Sequence, residues 1–286
     1  GEFAIRRGNP GLAVSSYLDV ARESRDVAIA ERATRIAVYA RNQDAGIEAS
    51  RLWLELADNI DAHRVHAALL VRAGRDDEAV TQLEALRERY AQVPRAQNAG
   101  YGIVVDLLSR ERDKSRRVRL MERLVEGQLD EPHAQAALAQ VLARSGEAER
   151  AADLMADVYE QHGDNDRYAA FYASLLRSNG KTEEALGVLA AQVNRAQAGN
   201  DIRMVYARFL VDAKRYEDAR GEFERIVTLD PDRADVRYAL GLLLIQTNHH
   251  AQARPHFEHL LVLRQRVLSA NFCLLYTSDA ADDRLS

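Results

Sequence analysis

Cysteine, proline and lysine are scarce in this chain. The single cysteine, Cys273, excludes an intrachain disulfide framework. Only 5 prolines and 15 glycines interrupt 286 residues, and the apolar–polar alternation of half-buried strands is missing. Alanine, leucine, arginine and glutamate, which are strong helix formers, dominate the composition instead. These features predict an all-α protein.

The chain also lacks a basic excess and a long apolar run. It has 39 Lys and Arg residues against 44 Asp and Glu residues, for a net charge of −5. A nucleic-acid partner usually requires a basic stripe, so we expect none. No apolar run is long enough to cross a membrane, and no signal peptide is present. The first residue is Gly1 rather than Met, which leaves open a targeting segment upstream.

The strongest positive feature is an internal repeat of 34 residues. It is set by the alanines Ala151, Ala185, Ala219 and Ala253. A turn residue lies five positions before each alanine, at Gly146, Gly180, Lys214 and Asn248. A large apolar residue lies four positions after, at Met155, Leu189, Phe223 and Phe257. Leu-Gly at 240–241, Ala-x3-Phe at 219–223 and Pro231 resemble the tetratricopeptide repeat (TPR) signature.

The resemblance implies antiparallel helix pairs stacked into a right-handed superhelical solenoid, with a concave surface used for binding. We number each repeat so that its small residue lies at position 20. This predicts a solenoid over residues 1–267, with repeats near 1–26, 27–59, 60–97, 98–131, 132–165, 166–199, 200–233 and 234–267. The fourth repeat is weak, because Arg117 occupies its small position.

Residues 268–286 predict a partial ninth repeat followed by a non-native tail. The stretch from Cys273 to Asp283 resembles the translated sequencing adapter found in some metagenomic assemblies. A solvated capping tail is the alternative interpretation.

The sequence contains few residue patterns that indicate a catalytic or cofactor-binding site. Gly100-Tyr101-Gly102 lacks the third glycine and the preceding strand of a dinucleotide fingerprint, and favours either close helix packing or a looser fourth repeat instead. The acidic clusters at 76–78 and 183–184 fall where second helices begin, and there they complement the helix dipole. We therefore predict no enzyme, no catalytic residues and no cofactor.

Two histidine pairs, His63 with His66 and His256 with His259, have the one-turn spacing of metal ligands. Neither pair has a third ligand at a fixed spacing. His256 and His259 flank the inward-facing Phe257, so we expect them to face outward. We predict no metal site, and a metal-dependent module is kept as an alternative.

The TPR resemblance also implies a candidate binding surface on the first helix of each repeat, at positions 2, 5, 9, 12 and 13. The arginines at these positions are Arg35, Arg64, Arg72, Arg110, Arg144, Arg167, Arg177 and Arg208. The last two repeats turn apolar, with Met204 and Val211, then Tyr238, Leu242 and Ile245. Arginine forks suit carboxylates and extended backbones. We expect a protein or peptide partner here; a solvated face is the alternative, because arginine is abundant throughout.

A narrower resemblance concerns residues 31–37, 49–56 and 256–272, which are similar to proteobacterial TPR lipoproteins of the outer membrane. In that group the TPR scaffold holds a periplasmic carboxyl-terminal processing protease and delivers substrates to it. The resemblance implies an adaptor at the periplasmic face of the outer membrane, whose lipid-bearing cysteine lies outside this fragment. A cytoplasmic TPR regulator or assembly factor is the alternative.

Overall fold

A computed structural model describes residues 10–93, 100–195 and 198–264. These residues form fifteen α-helices and no strand. The helices are α1 (Pro10–Ser24), α2 (Val27–Tyr39), α3 (Gln43–Leu56), α4 (Ile60–Ala73), α5 (Asp76–Ala91), α6 (Gly100–Leu108), α7 (Lys114–Leu124), α8 (Pro132–Ser145), α9 (Ala148–His162), α10 (Asp166–Ser178), α11 (Thr182–Val193), α12 (Asn200–Asp212), α13 (Tyr216–Leu229), α14 (Ala234–Gln246) and α15 (250–264). The predicted all-α fold is confirmed.

The chain divides into two compact bodies, an N-terminal body of residues 1–161 and a C-terminal body of residues 162–286. Within each body, helices pack on the next helix and in several cases on the next but one. In the N-terminal body, α5 contacts α4, α6 and α7 in this way, and in the C-terminal body α12 contacts α10, α11 and α13. Local pairing followed by stacking is the packing scheme of helical repeats. The division into eight repeats stays a prediction.

Helix ends follow simple local chemistry. Side chains of Asp26, Asn42, Asn59, Asp113 and Asn165 accept hydrogen bonds from the first backbone N–H groups of the helices that follow them. Turn residues with positive φ follow the first helices at Gly74, Gly146, Gly180, Lys214 and Asn248. The last four are the turn residues of the 34-residue pattern. The repeat also predicts a turn near Gly8, which lies outside the described residues.

Position 20 of the repeat is a buried contact between helices. Ala79, Ala151, Ala185 and Ala219 have no exposed surface there, and Ala253 is also buried. Arg117 is the exception, because its long side chain is buried at this position. Its guanidinium donates to the backbone oxygens of Ser109, at 3.5 Å, and of Arg144, at 3.4 Å. These oxygens lie at the C-terminal ends of α6 and α8, where the helix dipole favours a cation.

Gly100 lets two helices approach closely, as the sequence predicts. A Cβ at this position would lie 2.7 Å from the backbone oxygen of Arg87, closer than real Cβ atoms approach a neighbour. Nothing lies within 4 Å of the same point on Gly102. Packing therefore explains the first glycine of Gly100-Tyr101-Gly102 but not the second. Within the described residues, no helix combines the length and apolarity needed to span a bilayer.

Candidate functional site

The exposed face of α14 carries the predicted apolar residues of the C-terminal body. Tyr238, Leu242 and Ile245 are 54%, 45% and 43% exposed. Their spacing of four and three residues places them on one side of the helix. On the other side, Val236 and Leu240 are fully buried. One face of α14 therefore packs in the core, and a second apolar face is exposed to solvent. We call the exposed side of the first helices of the C-terminal body, α10, α12 and α14, the first-helix face.

The tyrosine of this face is held by an aromatic contact. The rings of Tyr238 and Phe257 meet edge to face, with their centroids 6.2 Å apart. Phe257 belongs to α15 and packs against the core of the C-terminal body. Tyr238 is therefore positioned by the second helix of its own repeat, although more than half of its surface is exposed.

The three predicted arginines of the C-terminal body fall into two groups. Arg177 forms an ion pair with Asp212, and its guanidinium lies 4.3 Å from the centroid of the Phe209 ring. Arg167 and Arg208 are exposed, and no described acid forms an ion pair with either of them. Only the latter two present a positive charge that is not already compensated by a neighbour.

The five predicted arginines of the N-terminal body divide in the same way. Arg35 pairs with Glu31 and Arg64 with Asp61 one turn away on their own helices. Arg144 lies 3.5 Å from Asp106 and donates to the hydroxyl of Ser109. Arg72 and Arg110 are exposed and have no ion pair with a described acid. Whether these arginines bind a partner stays a prediction.

Two residues assigned to the apolar end of the first-helix face do not belong there. Met204 is 5% exposed and lies within the core. Val211 is half-buried against the same core. Positions 5 and 12 of α12 therefore face inward, whereas the equivalent Tyr238 and Ile245 of α14 face solvent.

His63 and His66 are structural. Both are buried, at 8% and 5% exposure. The Nε2 of His63 lies 2.7 Å from Asp58, and its Nδ1 contacts the amide of Gln82. The Nδ1 of His66 lies 2.8 Å from the hydroxyl of Ser50. Three ring nitrogens of the pair are therefore in hydrogen bonds. Nothing in the sequence pattern identifies Ser50 as a partner, because it lies on the preceding helix.

Burial and hydrogen bonding shift two pKa values in this cluster. Desolvation lowers the pKa of His66 to about 4, so this ring is neutral in the folded protein at neutral pH. The hydrogen bond from His63 holds the pKa of Asp58 below its ordinary value. Among the described residues, no group of three or more His, Cys, Asp or Glu side chains could hold a metal ion.

The second histidine pair is less exposed than the sequence predicts. His256 is half-buried, and burial lowers its pKa. His259 is also half-buried, and its Nε2 lies 2.9 Å from Asp232. Both rings are thus partly exposed, and each also contacts the preceding helix pair, His256 through Arg237 and His259 through Asp232.

The acidic clusters lie in the first turns of α5 and α11, as the sequence predicts. Asp76 pairs with Arg116 at 2.6 Å, and Asp77 pairs with Arg123 at 2.7 Å. These carboxylates cap helix dipoles and join α5 to α7.

Comparisons with known proteins identify the repeat in the C-terminal body. Two tetratricopeptide repeat models match residues 172–234 and 210–265. The TPR repeat-containing protein PA4667 of Pseudomonas aeruginosa is 39% identical over 84 residues, which are 29% of this chain. The aligned segment is 14% of the length of that relative. Residues 172–265 therefore contain tetratricopeptide repeats, which form surfaces for binding other proteins.

Solved structures with a similar arrangement of helices include two forms of MamA. MamA 41-end from Desulfovibrio magneticus RS-1 has 18% identity and a TM-score of 0.47, and the match covers 59% of this chain and 96% of that one. The MamA RS-1 ArsTM double mutant has 18% identity and a TM-score of 0.47, and the match covers 60% and 97% of the two chains.

Proposed function

We propose that this chain is a non-enzymatic scaffold that binds a segment of a partner protein on its first-helix face. The observation that carries the proposal is the exposed apolar row of Tyr238, Leu242 and Ile245 on α14. These three side chains lie outside the core and remain available to a second molecule. A row at this spacing fits an amphipathic helix or an extended segment with apolar side chains.

The unpaired arginines of the C-terminal body indicate which charge the partner segment carries. Arg167 and Arg208 lie on α10 and α12, and no described acid pairs with them. Uncompensated guanidinium groups favour carboxylates, which accept two parallel hydrogen bonds from the planar fork. The proposed ligand therefore carries acidic residues beside its apolar ones. Arg177 contributes less, since Asp212 already neutralises it.

We further propose that the protein works in the bacterial envelope, at the periplasmic face of the outer membrane, and holds a processing protease together with its substrates. This step rests on the resemblance of three segments to envelope TPR lipoproteins. Recovery of the upstream sequence tests it. A signal peptide followed by a lipid-modified cysteine supports the envelope, and a start codon directly before the first repeat supports a cytoplasmic assembly factor.

The binding proposal is tested by capture from a bacterial envelope extract. Wild-type protein is compared with Arg167→Glu/Arg208→Glu and with the control Arg112→Glu/Arg119→Glu. The control makes the same charge change at exposed arginines outside the first helices. The proposal predicts that the first variant loses partners that the control retains. Equal capture by all three proteins would show that these arginines are a solvated face.

A further inference from the structure

A second surface lies between α7 and α9 in the N-terminal body, on the second helices of two consecutive repeats. It is a groove with a volume of 410 Å³. Its floor is apolar and consists of Val125, Leu129, Leu138 and Leu154. Leu129 is 44% exposed and Leu154 is half-buried, whereas Val125 and Leu138 are buried. The apolar surface that a ligand can reach therefore belongs to Leu129 and Leu154.

Carboxylates form the rim of this groove. Asp153 and Asp157 lie one turn apart on α9, and Glu122 faces them from α7. Asp153 and Asp157 are exposed and form no ion pair with a described cation. Arg150 is the cation of the rim, and its guanidinium is already engaged by Glu122, at 2.8 Å, and by Glu147. The groove therefore offers apolar surface beside uncompensated negative charge.

The combination of an apolar floor and an acidic rim is not required for the repeats to stack. The equivalent positions two repeats later, 68 residues along the chain, lie between α11 and α13. There Ala190 replaces Glu122, Gly221 replaces Asp153 and Arg225 replaces Asp157. Glu222 replaces Leu154, and it is buried in an ion pair with Arg203 at 2.6 Å. A groove of 520 Å³ also lies there, beside α13, and it is lined by Arg203, Gly221, Glu224, Arg225, Thr228 and Leu229. The gap is therefore mainly polar and carries two arginines in the C-terminal body, whereas it is apolar and acidic in the N-terminal body.

We propose that the groove between α7 and α9 binds a partner segment in which an apolar side chain is flanked by arginines or lysines. The apolar side chain covers the leucine floor, and the cations pair with Asp153 and Asp157, since Arg150 already neutralises Glu122. Charge complementarity selects this occupant, since an acidic segment would meet the two uncompensated carboxylates of Asp153 and Asp157. The surface is independent of the first-helix face, which calls for an acidic segment, so two different segments bind the two surfaces.

The test uses three fluorescein-labelled peptides, each with one leucine flanked by two arginines at a spacing of one, two or three residues. Binding is measured by fluorescence anisotropy at 0.15 M salt. The site variant is Asp153→Asn/Asp157→Asn, and the control is Glu149→Gln/Glu160→Gln. The control removes the same charge from the same helix at residues that do not line the groove. Circular dichroism confirms that all proteins are folded.

We expect at least one peptide to bind wild type and the control alike, and the site variant about fivefold more weakly. Replacing the leucine of that peptide by alanine should weaken binding about tenfold. Arg167→Glu/Arg208→Glu should not weaken peptide binding, which separates this result from that of the first-helix face. The proposal is overturned if no peptide binds at 1 mM, if both double variants weaken binding equally, or if the leucine makes no difference.

Discussion

The ring of Phe257 lies directly against the backbone of Gly241. A Cβ built on Gly241 would be 2.7 Å from the ring Cζ and 2.8 Å from Cε2. Gly241 belongs to the first helix of the last repeat and Phe257 to the second. The Leu-Gly and Ala-x3-Phe elements of the sequence pattern are therefore two sides of one contact, in which the glycine makes room for the aromatic ring.

This contact predicts that the effect of Gly241→Ala on the free energy of unfolding changes sign when Phe257 is replaced by alanine. Gly241→Ala gains about 1 kcal/mol of helix propensity but overpacks the ring at a cost of about 1–3 kcal/mol. We expect net destabilisation in wild type and net stabilisation in a Phe257→Ala background, measured by denaturant unfolding. Gly221→Ala is the control, because nothing lies within 4 Å of its added Cβ, and it should stabilise. The same effect of Gly241→Ala in both backgrounds would rule out this contact as the reason for the glycine.

Position 20 gives a second prediction. Ala219 has no exposed surface, so Ala219→Trp overpacks the contact between two helices and should cost about 3 kcal/mol or more. His256→Ala, in the same body, removes a half-buried ring whose contact with Arg237 is long, at 3.5 Å, and should cost much less. Thermal unfolding followed by circular dichroism compares the two. Equal melting temperatures would contradict the packing role of position 20.

Acid should weaken the N-terminal body through His66. Burial lowers the pKa of this ring to about 4 in the folded protein, whereas an unfolded histidine titrates near 6.5. The unfolded state therefore binds more protons between these values, and stability falls as the pH is lowered. The expected loss between pH 6.5 and 5 is about 2 kcal/mol. Arg51, Arg75 and Glu78 provide the other charges around the ring, and His63 is the neighbouring titratable group.

The measurement is denaturant unfolding at pH 7 and pH 5 with the fluorescence of Trp53. This residue is the single tryptophan of the chain, and it is buried on α3, the helix that carries Ser50. His66→Gln is the reference variant, since it keeps a polar side chain but cannot take up the proton. We expect the pH effect to be smaller in the variant. An equal loss in both proteins would assign the acid sensitivity to other groups.

Two substitutions of the buried Arg117 distinguish the contribution of its side-chain volume to stability from that of its charge. Its hydrogen bonds are long, and its Nε has no partner among the described residues. Arg117→Met keeps most of the volume and removes the buried cation, so it should change stability by less than about 1 kcal/mol. Arg117→Ala leaves a cavity and should cost about 2 kcal/mol or more. The free energies of unfolding of both variants are measured by chemical denaturation and compared with that of the wild type. If methionine is as harmful as alanine, the guanidinium bonds to Ser109 and Arg144 are what hold α7 in place.

The sequence predicts the period, the turns and the buried small residues because each depends on local spacing. It mispredicts Met204, since the inward or outward direction of a position varies from one first helix to the next. The ion pair of Arg177 with Asp212 joins residues that are 35 apart, about one repeat, as are Arg144 and Ser109. Opposite charges at this spacing in the repeat predict such a pair from the sequence. The groove between α7 and α9 could not be predicted from the sequence, because its apolar floor comes from three separate segments.

Photo-crosslinking from the first-helix face tests the central claim most directly. A benzophenone-bearing residue is placed at Tyr238 or Leu242, and as a control at Glu224 on α13, the second helix of the preceding repeat. Each protein is irradiated in a bacterial envelope extract, and the crosslinked peptides are identified by mass spectrometry. The account predicts that Tyr238 and Leu242 crosslink the same segment of one partner, that Glu224 does not, and that Arg167→Glu/Arg208→Glu abolishes the product. Crosslinks of equal yield from all three positions, or from Glu224 alone, would contradict it.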